Sequence, residues 1–357
     1  MQLSYCWPAY KSALREAIAA DEGIVRKTQK AQWAALVQKP LSGLLASSSP
    51  PHVLLVIDAV DECGSDGDMN YIVELLLDAR EINQTALRIF VTSRPEVAIR
   101  SGFDRDLDQH HFNLVLHQIS EFIVQNDLFI FLRSHFANIR QSRGLGADWP
   151  GDAAIRRLVA MSGNLFIWAA TVCRFVADGR TRARNRLLSI LKGGYDFGGP
   201  DMALDRIYLM VLESAIGNNL STEEKREVSH NFRYMLGTVA VLFAPLSITD
   251  LSCLLDVETE DFKETLADLH SIIDVPNDTA CPIRLHHPSF RDFLCDQGRC
   301  RNEALCVDRF VMHRMLAKWS FKTMSILRRD ICYLNDHGTM VEDVEPAVIQ
   351  RHMSGAL

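Results

Sequence analysis

Two short apolar runs, VLLVI at 53–57 and LRIFVTS at 87–93, constrain this chain more than anything else in it. A continuous, β-branched apolar run is the mark of a strand buried on both faces of a parallel sheet. Between the two runs lies MNYIVELLLDAREIN, whose apolar residues recur at helical spacing. Strand, helix, strand in this order is a βαβ unit with a right-handed crossover. HFNLVLH, residues 111–117, alternates in a way that suits a third strand of the same sheet.

The rest of the chain reads mainly as helix. Upstream, residues 8–45 read as two helices, PAYKSALREAIAAD and VRKTQKAQWAALVQKPL, the second repeating its apolar residues at helical spacing before its proline. ASSSPPH then breaks the chain before VLLVI. From Ser120 onward, ISEFIVQNDLFIFLRSHFANIRQ, DAAIRRLVAMSG, NLFIWAATVCRFVAD, NRLLSILKG and ALDRIYLMVLESAI predict a helical domain. Residues 222–296 offer three helices, two short strands (IIDVP, IRLHH) and a further helix (SFRDFLCD), an order that suggests a winged-helix module. Residues 304–334 read as helix again, and no internal repeat is evident. The expected divisions are 1–118, 119–215, 222–298 and 299–357.

Composition excludes several classes of function. The chain has 357 residues, enough for two or three domains, with the hydrophobic and charged content of an ordinary globular protein. A net charge of -7 argues against nucleic acid as a partner, and the basic run DGRTRARNRLL reads as a solvated face. Nine cysteines form no CxxC pair, which argues against a zinc site. Cys173 in WAATVCRFV and Cys253 in LSCLL suit buried, reduced thiols, and the expected location is cytoplasmic. The N-terminus lacks the pattern of a signal peptide. The longest apolar run, YMLGTVAVLFAPLSI, contains a proline and falls short of the roughly 20 residues needed to span a bilayer, so no membrane is expected as a partner.

The first apolar run leads into an acidic turn carrying Asp58, Asp61, Glu62, Asp66 and Asp68. A calcium loop of the EF-hand kind fails on spacing: with Gly67 at the invariant glycine position, Gly64 falls on a ligand position and Val73 on the closing glutamate. Magnesium fits better. A buried parallel strand places Asp58 at the C-terminal edge of the sheet, where open α/β folds bind ligands. Asp61 and Glu62 are both candidates for a base that orients water. LRIFVTSRPE brings Arg94 out at the same edge, where a cation could reach a phosphate. On VLLVID alone, an acidic surface turn is an equally good reading.

Together the two strand ends resemble the Walker B and sensor 1 motifs of the NACHT branch of the STAND NTPases, in particular the fungal proteins described as nephrocystin 3-like. DWPGDAAIRRLVAMSGNLFIWAATVCRFV looks like the helical segment that follows the sheet in that family, and APLSITDLSCLL, LHSIIDVP and IRLHHPSFRDFLCD look like its winged-helix region. The fold this implies is the α/β remnant of a P-loop NTPase sheet followed by an α-helical domain and a winged-helix domain. The resemblance also implies Mg²⁺ and ATP or ADP as cofactors. It gives Asp58 the role of metal ligand, Arg94 a phosphate contact, and His287, ahead of SFRDFL, a contact with the β-phosphate of ADP.

One element of that pattern is missing. GxxxxGK[ST] occurs nowhere, and not one of the nine lysines follows a glycine. The expectation is a chain that starts inside an NTPase domain and binds nucleotide poorly alone. In the family's strand order the missing strand lies beside LRIFVTS, so either that strand keeps an open edge or HFNLVLH closes against it. Such a chain would act as an interaction or adaptor module, with a homo-oligomer or full-length NACHT relatives as partners. The alternatives are an ATP-dependent switch in self/non-self recognition or programmed cell death, requiring an upstream phosphate loop, and a plain helical scaffold.

Overall fold

The computed structural model describes residues 2–21, 23–46, 51–63, 66–79, 82, 86–94, 97–104, 112–179, 182–193, 200–216 and 221–325, together with 332–334, 344–345 and 347–349. The chain divides into two units, residues 1–116 and 117–357.

The first unit opens with α1 (Gln2–Cys6) and α2 (Pro8–Ala20), the latter starting on a proline that suits the first helical turn. α3 (Gln29–Trp33) is capped by Thr28, whose hydroxyl accepts from the Ala31 N–H at 3.4 Å. It passes through a π-helical turn, Ala34–Gln38, into α4 (Lys39–Leu45). The helical reading of residues up to 45 holds here, with Pro40 inside the helix. A proline inside a helix has no N–H to give and presses on the carbonyl four residues earlier, here Leu36. The wider π turn accommodates it, and Tyr10 Oη donates to the Leu36 carbonyl at 2.7 Å.

β1 (Val53–Ile57) and β2 (Leu87–Val91) pair in parallel, from Val53 opposite Leu87 to Ile57 opposite Val91. The crossover between them carries α5 (Asp66–Ala79), and α6 (Val97–Asp104) follows β2. Ile57 and Val91 pack with Val60, Met69, Val73 and Ile99. Val53, Leu55 and Ile89 pack around Leu45, Ala86 and Leu87.

Two expectations need correction here. The strands are not buried on both faces: Leu54, Val56 and Phe90 are 62%, 56% and 52% exposed. An apolar run shows that both faces of a strand are apolar, and whether both are covered depends on what packs there. The described part of the expected third strand, residues 112–117, is not a strand. Among the described residues β2 pairs only with β1, Phe112–Val115 have no regular structure, and Leu116–Gln118 form a 3₁₀ turn. Phe112 and Leu114 point into solvent, so the alternation of that segment has no ladder partner to make it a strand.

The second unit runs α7 (Glu121–Ser142), α8 (Asp152–Met161), α9 (Phe166–Asp178), α10 (Ala183–Lys192), α11 (Pro200–Ile216), α12 (Thr222–Val241), α13 (Ile248–Leu255) and α14 (Thr259–Leu266). There follow β3 (Ile273–Asp274), β4 (Arg284–Leu285), α15 (Ser289–Cys295) and α16 (Arg309–Met324). A single apolar core extends from Leu128 on α7 to Leu316 on α16. α7 contributes Leu128, Leu132, Phe136 and Ile139, one stripe at helical spacing. α9 is buried over much of its circumference, including Trp168, Ala169, Val172, Phe175 and Val176, as befits a central helix. A reciprocal cap starts α12: Ser221 Oγ accepts from the Glu224 N–H, and Glu224 Oε2 accepts from the Ser221 N–H. The strands β3 and β4 are antiparallel and short, with Ile273 opposite Leu285 and Asp274 opposite Arg284.

Side chains in this unit refine the sequence reading. Arg186, from the basic run, stands over the Phe175 ring at 4.5 Å and donates to the Phe175 carbonyl at 2.7 Å, so it serves the fold. Cys173 is buried, and burial pushes its thiol up to about 12. Cys253, expected inside, is exposed, because it faces outward between the buried pairs Leu251–Ser252 and Leu254–Leu255 of α13. No disulfide joins any of the cysteines. Among the described residues, no helix is long and apolar enough to cross a membrane.

Candidate functional site

The parallel register carries two chemically useful residues to one edge. Because Ile57 lies opposite Val91, the next residues, Asp58 and Thr92, also meet. Thr92 Oγ1 donates to Asp58 Oδ1 and accepts from the Ala59 N–H at 2.9 Å. Backbone bonds fasten the same corner: the Thr92 N–H donates to the Ile57 carbonyl, and the Val60 N–H donates to the Thr92 carbonyl, both at 3.0 Å. The chain leaves β1 through Ala59, whose φ of 52° lies in the left-handed region, an unusual place for a residue with a Cβ. That turn starts the 3₁₀ segment Val60–Glu62 and drops Val60 fully into the core.

Asp61 and Arg94 form the second contact. The Arg94 N–H donates to Asp61 Oδ1 at 3.0 Å, and Arg94 Nε lies 3.6 Å from Asp61 Oδ2. The Asp61 side chain is 9% exposed and that of Arg94 47%. Asp61 is therefore tethered, and it holds the root of an arginine whose side chain is half in solvent. Of the two candidate bases, Asp61 has both oxygens engaged by Arg94. The side chain of Glu62 lies outside the described residues, as does that of Asp66.

The donor set can be tested against magnesium. Mg²⁺ keeps several waters and takes one or two carboxylates, the remaining places going to substrate phosphates. Asp58, at the strand end and oriented by Thr92, suits one such place. Among the described residues no group of three acidic, histidine or cysteine side chains forms a cage. The fit is thus to a hydrated ion held partly by a ligand.

His287 belongs to the second unit, just before α15. Its Nδ1 accepts from the Ser289 N–H at 3.2 Å and lies 2.6 Å from Ser289 Oγ. Ser289 Oγ is in turn 2.8 Å from Tyr208 Oη, and Tyr208 is buried against Phe290 and Phe293. A ring nitrogen that accepts from a backbone N–H cannot carry a proton, so the neutral ring is the Nε2–H tautomer. The imidazole caps the start of α15, while its Nε2–H is a donor. Burial raises the Tyr208 phenol above its ordinary value, and Ser289 and Arg174 moderate the rise.

Sequence reasoning located Asp58, Asp61, Glu62 and Arg94 but assigned no role to Thr92. The signal available was register: in a parallel pair, the residue opposite the last acid is fixed once one pairing is known.

No curated protein matches the chain. Residues 1–94, which end on Arg94 and hold the whole of this strand-edge site, match the family model described as nephrocystin 3, N-terminal, and that family is supported over this segment.

Proposed function

We propose that this chain is a NACHT-type signalling module of the STAND class that carries the magnesium side of a nucleotide site and works as an interaction or adaptor component. The observation that carries the reading is the pairing at one sheet edge of Asp58 with Thr92 and of Asp61 with Arg94. Asp58 would hold the metal, Arg94 would face phosphate, and Asp61 would position Arg94. The phosphate contact of His287, which lies in the second unit, is assigned by the resemblance alone, and in the same reading residues 222–296 are a winged-helix module. Bound magnesium would supply neutralisation of phosphate charge.

The chain's sequence has no GxxxxGK[ST] to cradle the phosphates. Each charge-assisted hydrogen bond from such a loop contributes about 1.5–3 kcal/mol. Several missing at once leave Mg-ATP affinity weak, and that is why interaction rather than hydrolysis is the preferred role. Full-length relatives or further copies of the chain are the fitting partners.

Titrating the purified chain with a fluorescent ATP analogue, with and without Mg²⁺, tests this. Weak binding is expected in both cases. Submicromolar, Mg²⁺-dependent binding that disappears in Asp58→Ala would overturn the adaptor reading in favour of an ATP-dependent switch. Capture of a full-length relative in a pull-down supports the adaptor role.

A further inference from the structure

In the second unit, an open groove of about 1000 Å³ runs between α12, the α13–α14 region and α16. Its floor is apolar and includes Met235, Met315 and Trp319. Its rim is acidic: Asp256, Glu258, Asp261, Glu264 and Asp268 all line it. Asp261, Glu264 and Asp268 recur at intervals of three and four, so they share one face of α14 and the turn after it.

Two of these acids are already balanced. Lys322 Nζ lies 2.8 Å from Asp256 Oδ2, and Arg186 Nη2 lies 4.0 Å from Asp268 Oδ1. Glu258, Asp261 and Glu264 have no basic partner among the described residues. Lys322 is informative in another way: its ammonium also sits 4.7 Å from the centre of the Trp319 ring. At one end of the groove, beside Asp256 and Trp319, an exposed cation of the chain's own thus sits between a carboxylate and an aromatic face. The rest of the rim offers carboxylates along an apolar floor with no such cation in place.

We propose that this groove docks a basic amphipathic helix from a partner protein. Apolar side chains on one face of that helix would lie on the Met235, Met315 and Trp319 floor. Lysines or arginines on successive turns would meet Glu258, Asp261 and Glu264. Carboxylates spaced by three residues on α14 rise by about one helical turn, which matches cations spaced by three or four on a helix lying alongside. The net charge of -7 would steer a cationic segment toward this surface.

The test uses the full chain and two fluorescein-labelled helical peptides of equal length, one Leu/Lys and one Leu/Glu, with binding read by anisotropy. The Leu/Lys peptide is expected to bind, and the Leu/Glu peptide is not. Adding salt to about 1 M, where screening acts within about 3 Å, should weaken the complex. The exposed triple reversal E258K/D261K/E264K should raise the dissociation constant about tenfold or more. The equal reversal E121K/D127K/D148K, on exposed acids of α7 and the turn after it, should leave it within about twofold. Three results overturn the proposal: equal losses in both reversed variants, no loss in the groove variant, or equal binding of the two peptides.

Discussion

Tyr10 Oη donates to the carbonyl of Leu36 at 2.7 Å, and Leu36 stands four residues before Pro40, whose missing N–H cannot serve that oxygen. A hydroxyl from α2 thus takes over a bond that a proline removes from the helix Gln29–Leu45. Tyr10→Phe should lower the stability of the first unit by about 0.5–1.5 kcal/mol, since it strips a partner from a partly buried carbonyl. Adding Pro40→Ala should shrink that cost, because an alanine N–H can reach Leu36 itself. Urea titrations of the two single variants and the double variant check the coupling.

The same bond has a pH signature. Burial raises the Tyr10 phenol above its ordinary 10.0 in the folded state. A group with a raised folded value contributes stability that is complete below its unfolded pKa and is lost as pH rises through the folded one. The difference between wild type and Tyr10→Phe should therefore be constant up to about pH 10 and narrow above it. A gap that widens in alkali would show the opposite sign.

Thr92 is the pin of the strand-edge site, serving the Asp58 carboxylate and the Ala59 N–H through one hydroxyl. Thr92→Val keeps the shape and removes both bonds. It should cost about 0.5–1.5 kcal/mol, since Asp58 is exposed and regains water, and release the Asp58 side chain. Thr92→Ser should restore most of the loss. Chemical denaturation of the three forms measures it.

How much of this was legible in the sequence depends on what each element needs. α7 and α9 were readable because an apolar stripe, or an apolar circumference, is a property of the helix alone. The βαβ unit was readable because two apolar runs flank an amphipathic helix, so each strand supplies the other's neighbour, and with it the strand ends bearing Asp58 and Arg94. Residues 111–117 carry an alternating pattern that a strand requires, but a strand also requires a neighbour, and no property of those seven residues reports one. The half-covered sheet is the same case: Leu54 and Phe90 are apolar whether or not anything packs on them. At Pro40 the helical pattern was legible, but the π turn and the bond from Tyr10, a residue remote in sequence, were not. His287 drew notice only through resemblance, and its role as the cap of α15 follows from a local bond to Ser289.

Gly102 marks a close approach of α6 to α5. A Cβ placed there would come within 2.8 Å of Val73 Cγ1 and 3.2 Å of Val73 Cβ. Valine is branched at Cβ and has little freedom to turn aside in a helix. Gly102→Ala should destabilise the first unit by about 1–3 kcal/mol, even though alanine is the better helix former. Val73→Ala in the same chain should relieve the clash, leaving the double variant more stable than the sum of the two single costs implies.

Arg299 and Asp205 hold the turn after α15 to α11 across a long stretch of chain. Arg299 Nη2 lies 2.6 Å from Asp205 Oδ1, and Nε lies 3.1 and 3.2 Å from the two oxygens. The side chains are 26% and 15% exposed, so the pair is only partly screened by water. The hydrogen bonds to Asp205 push the guanidinium above its ordinary value. Arg299→Ala would strand a carboxylate that has little access to water, and a loss of about 2–3 kcal/mol is expected, discounted from the value for a fully buried pair. Arg299→Lys should recover only part, because a single ammonium cannot reproduce the two-pronged contact. Asp205→Asn removes the stranded charge and should cost less than Arg299→Ala. A double-mutant cycle read by thermal unfolding separates the pair's own contribution from the penalty of leaving one partner behind. Equal costs for Arg299→Ala and Asp205→Asn, with full rescue by lysine, would mean that a general positive charge, and not the fork geometry, holds the turn in place.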